Sequence, residues 1–213
     1  MNLLIAAHLV AAAMSPWLVR ILRRRAFLVL ALVPLASFVW TLGQTSAVHA
    51  GDGPVETVSW VPSLGLDLAF RLGTLQWLMA LIVTGIGALV LIYCAWYFDD
   101  DDPALATFSG TFIAFAGSML GLVLCDDLLL LYVFWELTTV FSYLLIGSDP
   151  TKRASRQAAM QALIVTTLGG LAMLVGMLVL GRKPAPTGSA RSSLTRRPDQ
   201  PPSWRWPCCS SVP

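Results

Sequence analysis

Long apolar runs separated by short polar punctuation organise this chain. They cover approximately residues 3–19, 26–42, 75–98, 104–124, 128–146 and 158–181. At ~1.5 Å per residue a helix of this length crosses a hydrocarbon core of ~30 Å, with the first two runs near the lower limit. The pattern predicts an all-α, polytopic membrane protein with about six transmembrane helices. The one long connection, Gly43 to Arg71, carries Gly51-Asp52-Gly53-Pro54 and then Val55-Glu56-Thr57-Val58-Ser59-Trp60, which predicts a turn and short extended pieces on the external face. Small residues recur at Thr84-Gly85 with Gly87-Ala88, at Gly117 and Gly121, and at Gly169-Gly170 with Gly176. That spacing predicts close helix packing rather than hinges.

Composition agrees with the pattern. Hydrophobic residues are 56% of 213 and charged residues 12%, and the mean hydropathy is +0.72, values that a water-soluble domain does not carry. The amino terminus lacks the basic flank of a cleavable signal, and its apolar run is followed by Arg20, Arg23, Arg24 and Arg25, so a retained first span is expected. Those arginines and the cluster Lys152, Arg153 and Arg156 are separated by four spans and therefore face one side. The positive-inside bias makes that side the cytoplasm and the amino terminus external, in a multi-pass protein of the cell membrane. Asp99 to Asp102 then form a solvated cytoplasmic loop and helix start.

The language changes after Gly181. Residues 1–181 carry eight Lys/Arg against eleven Asp/Glu, a balance of −3, whereas 182–213 carry six against one, or +5, with seven of the thirteen prolines. The basic balance of the whole therefore sits in the tail and is no argument for nucleic acid. The expected division is a transmembrane region, 1–181, and a disordered tail, 182–213. Every Trp or Cys codon begins with TG, so a frame starting one nucleotide earlier turns Ser203-Trp204-Arg205-Trp206-Pro207-Cys208-Cys209-Ser210 into an alternation of large aliphatics and alanine. The tail is expected to be out-of-frame translation of a longer membrane protein, interrupted near Arg182. A genuine Pro/Ser-rich extension is the other reading.

Chemistry concentrates at Glu136, the one charged residue between Leu128 and Ile146. A carboxyl at that depth is costly, and sequences keep one mainly where it lines an ion or proton path or has a buried partner. At 100° per residue, Tyr132, Thr139 and Tyr143 lie within ~60° of it on the helix's polar stripe. A dry setting favours a neutral carboxyl and a nearby cation favours the anion, so an acid held between those states exchanges protons. The alternative is a carboxyl locked in a single hydrogen-bonded pair that pins helices together. Asp126 and Asp127 stand at the external mouth of this helix, where they serve as a cap or attract cations. His8 and His49 are too far apart in sequence to suggest a ligand pair, and the four cysteines show no disulfide or metal spacing. No phosphate-cradling loop, nucleophile with a base, or redox ligand set is present, so no cofactor and no resident metal are expected.

The segment Asp126-Asp127-Leu128-Leu129-Leu130-Leu131-Tyr132-Val133-Phe134-Trp135-Glu136-Leu137-Thr138-Thr139, with Tyr143-Leu144-Leu145-Ile146-Gly147, resembles the fifth membrane helix of the large antiporter-like subunits. These are the A subunit of Mrp-type multisubunit cation/proton antiporters and the L subunit of respiratory complex I (NADH-quinone oxidoreductase). Arg153-Ala154-Ser155-Arg156, Gln161-Ala162-Leu163 and Gly169-Gly170-Leu171-Ala172-Met173-Leu174 resemble the Mrp form more, and Thr84 to Val90 with Tyr93 fit the family's third helix. The resemblance implies a subunit of fourteen or more helices in which the glutamate matching Glu136 pairs with a lysine on the seventh. That lysine lies beyond the six spans here. Gly73 stands where the family usually carries an acid.

The resemblance implies the amino-terminal part of a secondary transporter subunit that exchanges Na⁺ or another monovalent cation for protons, with Glu136 as relay acid. Its partners would be the other antiporter subunits of a hetero-oligomeric membrane complex and the lipid bilayer. Two alternatives stay open: a proton-pumping L-type subunit of a complex I-like oxidoreductase, and a truncated product without transport activity.

Overall fold

A computed structural model describes residues 1–61, 66–100, 104–148 and 153–181. The tail from Arg182, Lys152, and Asp101 and Asp102 of the acidic loop lie outside the described residues. The elements are α1 (Asn2–Leu22), a 3-10 turn (Arg23–Arg25), α2 (Ala26–Gly43), α3 (Thr45–His49), β1 (Val55–Val61), β2 (Leu66–Arg71), α4 (Thr74–Tyr97), α5 (Leu105–Leu124), α6 (Leu128–Ile146) and α7 (Arg153–Gly181). One compact unit is Met1–Val175; of a second, Gly176–Pro213, the helical residues Gly176–Gly181 are described.

Five helical stretches are long and apolar enough to cross a membrane, and the first, Asn2–Gly43, is 42 residues long. At ~1.5 Å per residue it would extend roughly 63 Å as one rod, about twice a bilayer core. Instead the chain leaves the α-helical region at Arg23, whose φ is 52°, and α1 and α2 pack on one another. The described residues thus hold six membrane-length helices. The start of α7 is the main shift in boundary: helix begins at Arg153, five residues before the apolar run, because its polar first turns lie outside the hydrocarbon and are still good helix formers.

Lipid tails are as apolar as leucine, so small residues rather than apolar burial draw these helices together. In the α1–α5 contact, a Cβ placed on Gly117 would come within 2.6 Å of His8 Cβ, and one on Gly110 within 2.5 Å of Ser15 Oγ. Gly87 of α4 lies in van der Waals reach of Pro34 and Ala116, and Gly121 of α5 receives the ring of Phe134 from α6. One apolar cluster joins Phe70, Leu72, Leu120, Leu124, Leu130 and Phe134. Another, with Phe27, Leu91, Leu105 and Ile113, lies at the opposite ends of the helices and is faced by Phe98, whose ring stacks on Phe27 at 5.6 Å.

Contacts at the two ends fix which loops share a side. At one end Arg24 Nε lies 3.5 Å from Asp100 Oδ1 and Arg23 Nη1 donates to the Asp100 carbonyl at 3.2 Å, so the α1–α2 and α4–α5 connections meet. At the other end β1 and β2 form an antiparallel hairpin, with Val55 opposite Arg71 and Thr57 opposite Ala69. Glu56 on β1 accepts from the Met1 amine at 2.5 Å and from the Asn2 N–H at 3.0 Å. The long connection is therefore the extended element expected, with the addition of the short helix α3.

Candidate functional site

The α6 helix begins at a built cap. Asp127 Oδ1 accepts from the backbone N–H groups of Leu129 and Leu130, both at 2.9 Å, which satisfies two of the donors that a helix start leaves open. Asp126 is tied to the hairpin. Its N–H donates to the Ala69 carbonyl at 2.9 Å, and its Oδ2 lies 3.2 Å from Arg71 Nε. Both mouth carboxylates thus have structural partners.

About two turns further, Phe134 lays its ring over Gly121 of α5 and stands 6.1 Å from the ring of Phe70. Phe134 fixes the rotation of α6 about its axis. Glu136, two residues on, is turned by ~200° and points away from that packed face.

The Glu136 carboxyl lies against α7. Its Oε1 is buried and has no hydrogen-bond partner among the described residues, and a Cβ placed on Gly170 would collide with it. Oε1 occupies the space that a side chain at position 170 would fill. The bare backbone at 170 leaves the room that the oxygen takes in this arrangement.

The polar stripe divides into two parts. Tyr132, one turn before Glu136, has its hydroxyl within electrostatic reach of the carboxyl. Thr139 donates its hydroxyl proton to the Trp135 carbonyl at 3.2 Å, as Thr138 does at 2.7 Å. Back-bonding of this kind satisfies the donor inside the helix and leaves the oxygen lone pairs outward as acceptors. With Tyr143, Ser142 and Thr166 of α7, these threonines line a cleft of about 280 Å³ between α5, α6 and α7. Tyr132 is thus placed beside the acid, and Thr139 and Tyr143 in the adjoining cleft. Asp126 and Asp127 sit at the mouth.

The remaining candidates lie elsewhere. His8 is buried between α1 and α5, with Nδ1 2.8 Å from the Leu4 carbonyl, and His49 packs edge-on to Trp77. No group of three or more His, Cys, Asp or Glu among the described residues is placed to hold a metal ion. Gly73 is the N-cap residue of α4; a side chain there would meet Gln76 Oε1. Sequence reasoning missed Gly170 as a neighbour of Glu136. The Gly169-Gly170 pair was the available signal, but it does not say which glycine faces which helix.

A family model described as NADH:quinone oxidoreductase/Mrp antiporter, TM, matches residues 125–184. Another, described as NADH-ubiquinone oxidoreductase (complex I), chain 5 N-terminus, matches residues 59–109. The chain is 41% identical over 150 residues to the probable A/B subunit of a K(+)/H(+) antiporter from Rhizobium meliloti, covering 70% of this chain and 15% of the relative. To the A subunit of a Na(+)/H(+) antiporter from Alkalihalophilus pseudofirmus it is 38% identical over 171 residues, covering 79% and 21%. Among solved structures, the Mrp complex from Dietzia sp. DQ12-45-1b matches with a TM-score of 0.70 and 35% identity, over 82% of this chain and 18% of that chain. An archaeal membrane-bound sulfane sulfur reductase has a TM-score of 0.68 at 22% identity, a likeness of fold alone. The chain spans between 15% and 21% of the length of these curated relatives.

Proposed function

We infer the function from one premise: the chain belongs to the family of membrane subunits shared by NADH:quinone oxidoreductases and Mrp antiporters. From it we propose that the chain supplies the Glu136 helix of the large, A-type component of a monovalent cation/proton antiporter. That component exchanges Na⁺ or a similar cation for protons within a hetero-oligomeric complex of the cell membrane, amino terminus external. It is a secondary transporter, driven by ion gradients rather than by a bound redox centre of its own.

The observation that carries this reading is the buried, unpartnered oxygen of Glu136 inside an apolar helix. Lone carboxyls at that depth are expensive and are retained for ion or proton traffic. In the proposed mechanism Glu136 takes up and releases the proton, and the Tyr132 hydroxyl steadies the charged form. The adjoining cleft is lined mostly by apolar side chains, and its few hydroxyls, Thr139 and Tyr143 among them, are the polar points by which a proton approaches. Asp126 and Asp127 add negative potential at the external mouth, where cations gather, beyond their service as bridge and cap.

The test is transport in everted membrane vesicles from cells lacking their own antiporters, with this chain expressed alongside the remaining subunits of such a complex. Cation-dependent dissipation of the pH gradient should be lost in Glu136→Gln. Undiminished exchange in that variant would end the relay role. The complex I-like alternative is compatible with the family model of complex I chain 5 but is not better supported, since the relatives at 41% and 38% identity are antiporter subunits.

A further inference from the structure

Among its described residues α7 buries almost nothing: Ala159 and Gly170 alone are buried, and 6% of its membrane window is inside the protein. One of those two positions is where the carboxyl of Glu136 rests. An ideal Cβ on Gly170 would meet Glu136 Oε1 first, then the carboxyl carbon and Trp135 Cδ1, each at 3.5 Å. Its neighbour Gly169, turned by ~100° around the same helix, would meet nothing within 4 Å.

A packing glycine usually admits an apolar side chain, as Gly121 admits Phe134. Gly170 admits the one charged group of α6. Oε1 is the far end of a flexible side chain, so an added methyl displaces it by rotation about the glutamate side-chain torsions rather than by moving a helix. Holding a side chain about 30° from a staggered rotamer costs roughly 0.5–1.5 kcal/mol, or about two- to tenfold in a population.

We propose that Gly170 is the positioning residue of Glu136, its bare backbone forming the seat that holds the carboxyl oxygen against α7. The inference rests on the reading of Glu136 as a relay acid. The seat itself is tested without transport.

The test uses the chain in lipid nanodiscs with dicyclohexylcarbodiimide, an apolar reagent that modifies protonated carboxyls within membranes. The adduct at Glu136 is followed by peptide mass spectrometry, and Glu136→Gln sets the background. Gly170→Ala should change the labelling rate by about two- to tenfold, the population shift that an off-rotamer carboxyl implies, while Gly169→Ala stays at the wild-type rate. Shortening the acid should undo the collision, so Glu136→Asp with Gly170→Ala should label like Glu136→Asp alone. Wild-type labelling in Gly170→Ala overturns the seat, and so does a double variant that remains displaced from its Asp parent. Should Gly170→Ala fail to accumulate, recovery of accumulation in the double variant supports the seat and its absence refutes it. Exchange that survives Glu136→Gln would remove the relay role and leave these labelling outcomes untouched.

Discussion

Glu136 and Gly170 meet through an absence: the carboxyl oxygen of one lies where the other has no side chain. The contact joins α6, whose rotation is set by Phe134 on Gly121, to α7, which touches the rest of the protein little. A rigidly clocked helix therefore presents its acid to a loosely held one.

That acid should be nearly free of structural duty. Oε1 has no hydrogen bond to lose, and the near-isosteric amide of Gln keeps an oxygen that the neighbouring Tyr132 hydroxyl can reach while removing the desolvation cost of a carboxylate. Glu136→Gln is expected to keep or raise the thermal midpoint in detergent while abolishing cation/proton exchange. A midpoint that falls by several degrees would mean that the carboxyl pins helices instead.

The apolar runs made the six membrane helices legible, because length and hydropathy are properties of each segment alone. Where α7 begins was less legible, since Arg153 to Gln157 are polar yet helical. At the site, the wheel placed Tyr132, Thr139 and Tyr143 near Glu136, but it could not separate Tyr132, beside the acid, from Thr139, whose proton is spent on Trp135. Partners across helices were not legible at all. The pairs Arg71–Asp126 and Glu56–Met1 and the Gly170 seat depend on how distant segments dock, which periodicity does not encode.

Gly121→Ala should disturb the clocking of α6. Three ring atoms of Phe134 lie within collision range of an added Cβ, and overpacking of this kind typically costs about 1–3 kcal/mol. Gly169→Ala, with open space around it, should be neutral or slightly stabilising because alanine is the better helix former. Thermal unfolding of the two variants in detergent compares them directly. Phe134→Leu should restore most of the loss in Gly121→Ala, and a failure to do so would locate the strain elsewhere.

Acid should loosen the hairpin end. The Glu56 carboxyl is held below the usual carboxylate range, chiefly by its hydrogen bond from the Met1 amine and next by the Asn2 N–H. A group whose folded pKa is depressed stabilises fully above its unfolded value, ~4.3 for Glu, and the contribution fades as pH falls through the folded value. The side chain is 40% exposed, so screening limits the contribution to under about 1 kcal/mol. Thermal midpoints of wild type and Glu56→Gln should differ at pH 7 and draw together as the pH falls below the unfolded value of ~4.3. A gap that persists unchanged at low pH would show that the charge on Glu56 is not its source.

The mouth of α6 separates capping from ion binding by a single atom. Asp127 caps through one carboxylate oxygen, Oδ1, which takes both backbone N–H groups. Asn keeps such an acceptor and drops the charge; Ala drops both. Asp127→Ala should therefore lose about 1 kcal/mol of stability, whereas Asp127→Asn should lose far less. Asp126 is already paired with Arg71, so the three groups leave one net negative charge at the mouth. At a Debye length of ~8 Å a single exposed charge steers cations weakly. The KM for a cation entering at this mouth should rise in Asp127→Asn by about twofold or less, and the rise should vanish at high salt. A large, salt-independent rise would instead make Asp127 a direct ligand of the transported cation, with the cap as its holding geometry.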